Sequence, residues 1–224
     1  MRIAVSLKIK KKSGSSVPPM EAGTYPAVCV GIVDLGEQYN EAFKKYTDKM
    51  LFIWEIPSQT IKIDGEDKPR WLSKDFSASL HEKSNLYQTL VSWRGKAFTE
   101  AELAEDENGD MQFSVLEMLG SGCFLQVIVE EKDGNSYNRI TSVIALAVGM
   151  STPPTETPLI AFDIDRWDNE AFKSLPEWIQ ERIKKSTQYQ KLHVPTDSVD
   201  VNTNGAQQSK AAGGAQEQKE ENPI

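Results

Sequence analysis

Between residues 20 and 150 the chain changes its hydrophobic period twice, and this limits its possible folds more than any other feature. Residues 23–34, 50–56 and about 70–80 are rich in β-branched and aromatic residues and read as strands. Within the first run, Val28, Val30 and Ile32 are expected on one face. Helical spacing then takes over. Leu86, Leu90 and Trp93 share one face of a helix over residues 85–93, with Ser84 as its N-cap and Gly95 just past its end. Thr99 with Glu102 has the capping-box pattern of a second short helix, and residues 114–119 suggest a single turn that stops at Gly120. Period two returns in residues 123–131 and 136–148. Asp64-Gly65 and Asp133-Gly134 are hairpin signals between neighbouring strands.

Three strands, a helix and two more strands is the element order of an OB-fold barrel. The expected fold class is therefore mainly β: a five-stranded OB-fold barrel with a helix between strands 3 and 4, plus a C-terminal helix. Residues 1–19 carry Arg2, Lys8, Lys10, Lys11 and Lys12 and read as a basic flexible arm, with residues 3–9 as a possible short edge strand. The OB-fold domain is expected over 20–150, and a linker with an amphipathic C-terminal helix over 151–193. Residues 194–224 hold almost no bulky apolar side chains, cannot offset their ordering entropy, and read as a disordered acidic tail.

The net charge of −8 argues against a uniformly basic coat for nucleic acid, but a local basic patch would still bind it. The longest apolar stretch, near residues 143–148, is far too short to span a bilayer, and no signal peptide is visible, so a soluble, cytoplasmic protein is expected. Cys29 and Cys123 lie within apolar runs and read as buried free thiols. Two cysteines and two histidines leave no basis for a structural zinc site, and no metal or other cofactor is expected.

In an OB fold the ligand meets strands 2 and 3 and the loops after strands 1 and 4. The long loop expected over residues 35–49 holds Tyr39, Phe43, Lys44, Lys45, Tyr46 and Lys49. Rings interleaved with lysines suit a single-strand groove, because bases stack on the rings and ammonium groups neutralise phosphates. The alternative is an amphipathic turn with Phe43 and Tyr46 packed on the barrel. In strand 2, Glu55 is expected to face solvent, which puts Phe52, Trp54 and Ile56 inward and Leu51 and Ile53 outward. In strand 3, Leu72, Lys74, Phe76, Ala78 and Leu80 face inward, with Lys74 an imperfection that a bulge would relieve. Trp71 then faces outward beside Arg70 as a stacking candidate. Strand 5 is expected to turn Ile140, Ile144 and Leu146 inward. Its Tyr137 and Arg139 face outward, for single-strand contact or as a solvated edge.

Signs of catalysis are few, and the chain reads as a non-enzyme. No phosphate-binding glycine loop is present, and His81 and His193 have no evident nucleophile to activate. Asp163, Asp165 and Asp168 would serve a metal-dependent rival only if they converged in a pocket. The C-terminal helix is expected over residues 168–190, with Ser174, Pro176 and Glu177 agreeing on an N-terminal cap. Its stripe of Trp178, Ile179 and Ile183 either packs on the barrel or docks a partner.

Four stretches carry a resemblance to a known family: Thr24-Tyr-Pro-Ala-Val-Cys-Val-Gly-Ile-Val-Asp-Leu-Gly36, Leu51-Phe-Ile-Trp-Glu-Ile-Pro57, Ser79-Leu-His-Glu-Lys-Ser-Asn-Leu86 with Trp93-Arg-Gly-Lys-Ala-Phe98, and Leu119-Gly-Ser-Gly-Cys123. They resemble phage-encoded single-stranded-DNA-binding proteins of replication and recombination with an OB fold. The resemblance implies binding of single-stranded DNA during phage replication or recombination, in the cytoplasm of a bacterial host cell and without catalysis; the rings and lysines of residues 35–49 and strand 3 add the expectation of no strong sequence preference. The resemblance carries over no contact residues. The end of the chain, Glu220-Glu221-Asn222-Pro223-Ile224, resembles the acidic tips by which bacterial single-strand-binding proteins recruit replication or recombination proteins; a plain solvated tail is the alternative. The rival function on the same fold is a non-catalytic protein–protein adaptor or inhibitor.

Overall fold

The computed structural model describes residues 18–41, 43–63, 65–105 and 111–193. The basic arm up to residue 17, the tail from residue 194 and Asp64 of the second turn lie outside them. Three antiparallel strands come first: β1 (Gly23–Asn40), β2 (Lys45–Ile63) and β3 (Glu66–Ser77). The helix α1 (Asn85–Arg94) follows, with the two-residue strands β4 (Ala104–Glu105) and β5 (Met111–Gln112). Then come β6 (Gly122–Lys132), β7 (Asn135–Ile144), the short β8 (Ile160–Phe162), and three helices: α2 (Asn169–Ser174), α3 (Glu177–Ile183) and α4 (Thr187–His193). The main sheet has the order β3-β2-β1-β6-β7, and β8 runs parallel to β1 at residues 31–33. The protein is therefore mainly β with an antiparallel sheet. Among the described residues no ladder joins β3 to β7, so the sheet curves without closing into a barrel.

The helix signals read between residues 84 and 120 hold. Ser84 Oγ accepts from Tyr87 N, and Gly95 ends α1 with φ 70°. The Thr99–Glu102 capping box and the turn after Ser114 are present, each on a 3₁₀ turn. Both cysteines are free and buried.

The expected loop over residues 35–49 is instead the continuation of β1 and β2 into a long hairpin, laddered as far as Asn40 opposite Lys45. Glu41, Phe43 and Lys44 lie in the turn that closes it. Cross-strand pairing satisfies the backbone here, which an isolated helical turn would not achieve over the same length.

The sheet is buried on both faces near β1 and β2. On one side Ala27, Cys29, Ile32, Phe52, Trp54, Ile56, Phe76 and Leu125 pack under Leu86, Leu90 and Trp93 of α1. On the other, Val28, Val30, Val33, Leu35, Leu51 and Ile53 pack against Phe162, Ile164, Phe172, Leu175, Ile179 and Ile183. Leu51 and Ile53, expected outward, are thus core residues of the second face. The C-terminal segment is a layer of the same body rather than an appendage.

Bulges explain where strict alternation misleads. The β1–β2 register slips between Cys29 and Gly31, so Ile32 lies on the α1 side while Val28 and Val30 lie on the other. The β6–β7 register slips opposite Thr141, so Val143 is buried and Ile144 is exposed, the reverse of the expected pattern. No slip occurs between Leu72 and Phe76, and Lys74 stays on the inward face without one. The single C-terminal helix is three. Asp168, not Ser174, caps α2 by accepting from Glu170 N and Ala171 N, and the Ser174 hydroxyl donates to Ala171 O at the end of that helix. Of the expected stripe, Ile179 and Ile183 are buried while Trp178 is exposed.

Gly36 is a point of close approach between β1 and the C-terminal layer. Its φ is +69°, and a Cβ there would lie 2.8 Å from Gln188 Oε1, Ile164 Cδ1 and Ser186 Cβ. No helix of the described residues is long and apolar enough to cross a membrane.

Candidate nucleic-acid interface

The tip of the β1–β2 hairpin projects past the body. The C-terminal helices hold it only up to residues 37–38, where Glu37 N donates to Gln188 Oε1 and Gln38 Nε2 donates to Arg182 O. Beyond that point Tyr39 and Tyr46 face each other across the ladder with ring centroids 5.1 Å apart. Phe43, in the turn, is 72% exposed; Tyr46 is 55% and Tyr39 46% exposed. Packing on a core accounts for none of the three, so the amphipathic-turn alternative fails. Lys45 Nζ lies 6.0 Å from the Phe43 ring centroid, and Lys44 adopts a left-handed φ of 49° at the turn. Among the described residues neither lysine has a carboxylate partner. The tip offers ring faces and ammonium groups with few partners of their own. Lys49 sits lower on β2, where its Nζ donates to Ser77 Oγ at 2.8 Å.

Arg70 and Trp71 do not join this group. Arg70 is opposite Ile56, ten residues along β2 from Tyr46 and about 33 Å away at the usual strand rise. The two residues also point to opposite faces. Arg70 Nη2 donates to Pro18 O on the α1 side. Trp71 is covered on the other side by the linker, and its Nε1 donates to Thr157 Oγ1 at 3.0 Å. The sequence predicts an exposed Trp71; the linker covers it because the outer face of β2 and β3 is apolar and must itself be buried.

Tyr137 and Arg139 are exposed on β7, with Tyr137 opposite Glu130, and Arg139 Nε is 2.6 Å from Glu130 Oε1. Residues 18–20 link this strand to β3. Met20 N donates to Asn138 Oδ1, Asn138 Nδ2 donates to Met20 O, and Pro18 O receives Arg70. Lys74 lies on the same face of β3 as Arg70, with its Nζ 5.3 Å from the Phe76 ring centroid. Burial lowers its pKa below the ordinary lysine value, and repulsion from Arg139 lowers it further. Sequence reasoning treated Lys74 as a blemish in an apolar face. A cation at an inward position between Leu72 and Phe76 was the signal that this part of the face opens onto solvent.

Glu55, expected in solvent, is fully buried. Its Oε1 accepts from Glu156 N and its Oε2 from Thr157 N, each at 3.0 Å, and its Oε2 is also bonded to the Thr157 hydroxyl. The carboxylate thereby pins the linker across Trp71. Beside it lies an apolar groove of about 800 Å³ lined by Ile61, Ile63, Pro69, Trp71, Leu159 and Leu175, among others.

Asp163 and Asp165 come together with Asp34 rather than with Asp168, their carboxylate oxygens within 4.8 Å of one another. Burial raises the Asp34 pKa above the usual carboxylate range; the Gly36 N–H opposes this, and the charges of Asp165 and Asp163 add to it. Asp168 is occupied as a helix cap. His81 Nδ1 accepts from Lys83 N, and the His193 ring stacks on Tyr189 at 4.1 Å. No model of a known protein family matches this chain, and no curated protein does.

Proposed function

We propose that the protein binds single-stranded DNA without strong sequence preference, as a non-catalytic protein of phage DNA replication or recombination. The observation that carries this reading is the projecting hairpin tip, where Tyr39, Phe43 and Tyr46 are all exposed beside Lys44 and Lys45. Exposing three rings costs hydrophobic free energy in the free protein, and bases would bury them. The element order, which is the one expected of an OB fold, supports the same reading. The five long strands run β3-β2-β1-β6-β7, α1 falls between the third and the fourth of them, and the sheet's two ends face each other across residues 18–20. The test is a titration with oligothymidylate across salt concentrations, with duplex DNA as control. Affinity for the single strand should fall with a log–log slope of about −0.7 per phosphate neutralised. Salt-insensitive binding, or equal affinity for duplex, refutes the proposal.

The adaptor reading rests on the apolar groove between the β2–β3 hairpin and the linker. Ile63→Asp with Leu159→Asp, measured beside wild type, separates the two: both proteins bind the single strand equally if the tip and β7 carry the function, whereas an adaptor binds the single strand in neither.

A further inference from the structure

The two ends of the sheet meet in a seam that no ladder closes, and the cations of both ends gather there. Residues 18–20 set the spacing. The side-chain amide of Asn138 engages both the N–H and the carbonyl of Met20, at 2.8 and 2.9 Å, as a neighbouring peptide group would. Arg70 holds Pro18 from the β3 side at 2.9 Å. β3 and β7 approach one another beside this bridge without pairing, with Arg70 and Lys74 on the one strand and Arg139 on the other. Among the described residues Lys74 has no carboxylate partner; its ammonium rests over Phe76. Arg139 meets Glu130 through Nε, and its two terminal amino groups carry four further hydrogens that an anion could accept. Holding Lys74 and Arg139 together costs electrostatic energy, because each positive charge disfavours the other. A bound anion reverses the sign of that cost. In a protein of net charge −8, Lys74 without a carboxylate beside an Arg139 that shares its charge with Glu130 alone is an anion-attracting point in an otherwise acidic molecule.

We propose that the seam between β3 and β7 is a phosphate seat in which Lys74 and Arg139 take one phosphodiester of the bound strand from opposite sides. The proposal rests on the single-strand reading for the source of the phosphate, but the seat itself is a feature of these side chains. An Arg and a Lys suit the task differently: the guanidinium reaches two oxygens at once, and the ammonium acts as a point charge on the far side. The strand would then run from the hairpin tip to the seam, with stacking at one end and charge neutralisation at the other.

The experiment uses the full chain and two probes, oligothymidylate and inorganic pyrophosphate, with wild type, Lys74→Gln, Lys74→Arg and Arg139→Gln. Thermal melts check that each variant folds. Lys74→Gln should weaken oligonucleotide binding and make the log–log salt slope shallower by about 0.7, the loss of one phosphate contact, while Lys74→Arg should keep the wild-type slope. Pyrophosphate should bind wild type and compete with the oligonucleotide, and it should lose its binding in Lys74→Gln and in Arg139→Gln. A folded Lys74→Gln with an unchanged slope overturns the seat and leaves the single-strand reading standing. Pyrophosphate binding that needs both cations, in a protein that ignores oligothymidylate, supports the seat and refutes that reading. Failure to bind either probe refutes both.

Discussion

Replacing Glu55 tests whether the linker is held by a buried carboxylate. The side chain is fully buried and accepts from Glu156 N, from Thr157 N and from the Thr157 hydroxyl, which in turn receives Trp71 Nε1. Glu55→Gln keeps one acceptor oxygen and turns the other position into an amide donor that meets the Thr157 N–H head-on. Hydrogen bonds to a charged group contribute about 1.5–3 kcal/mol each, and one to two of the three would be lost. Against this, the neutral amide is cheaper to bury than a carboxylate without a cationic partner, which offsets part of the loss. The expected net destabilisation is about 2 kcal/mol by urea unfolding. The damage should also be local: with the linker released, Trp71 becomes more accessible to acrylamide quenching, while oligonucleotide affinity stays unchanged because neither the tip nor the seam touches Glu55. A Glu55→Gln protein within about 0.5 kcal/mol of wild type, with unaltered quenching, would show that apolar packing alone holds the linker and that the hydrogen bonds contribute nothing net.

Tyr46→Ala and Phe43→Ala should each cost about 1–3 kcal/mol of single-strand binding and leave the melting temperature unchanged, whereas Trp54→Ala should cost about 3–5 kcal/mol of stability through a core cavity; calorimetry and binding titrations read the two effects separately. Asp34 has a raised pKa in the folded state, so the native protein holds its proton to a higher pH than the unfolded chain does, and stability falls as pH rises through that interval. Asp34→Asn should therefore raise the melting temperature at neutral pH and flatten this part of the pH profile, an idea that equal pH dependence in both proteins would sink. Burial pushes the Cys29 thiol up to about 12 and raises that of Cys123 as well, so a thiol reagent should label neither until the protein unfolds; prompt labelling of the native protein contradicts their burial.

The sequence by itself determined the order of the five long strands and α1, the caps at Ser84 and Gly95, the Asp133-Gly134 turn and the free cysteines, because each follows from residues close together in the chain. It also held a signal that alternation obscured. Residues 27–33 and 50–54 are nearly continuous apolar runs, the mark of strands buried on both faces, and they implied the second layer that α2, α3 and α4 supply. Only the tertiary structure decided which side each later residue takes. A single unpaired residue at a bulge reverses every side chain beyond it, as Ile32 and Ile144 show, and a bulge has no fixed sequence signature. Only the tertiary structure likewise separated Arg70 from Trp71, buried Glu55 under residues 156–157, and brought β3 close to β7. Those placements depend on chain segments about 50 to 100 residues apart meeting across a curved sheet, and no local pattern encodes such a meeting.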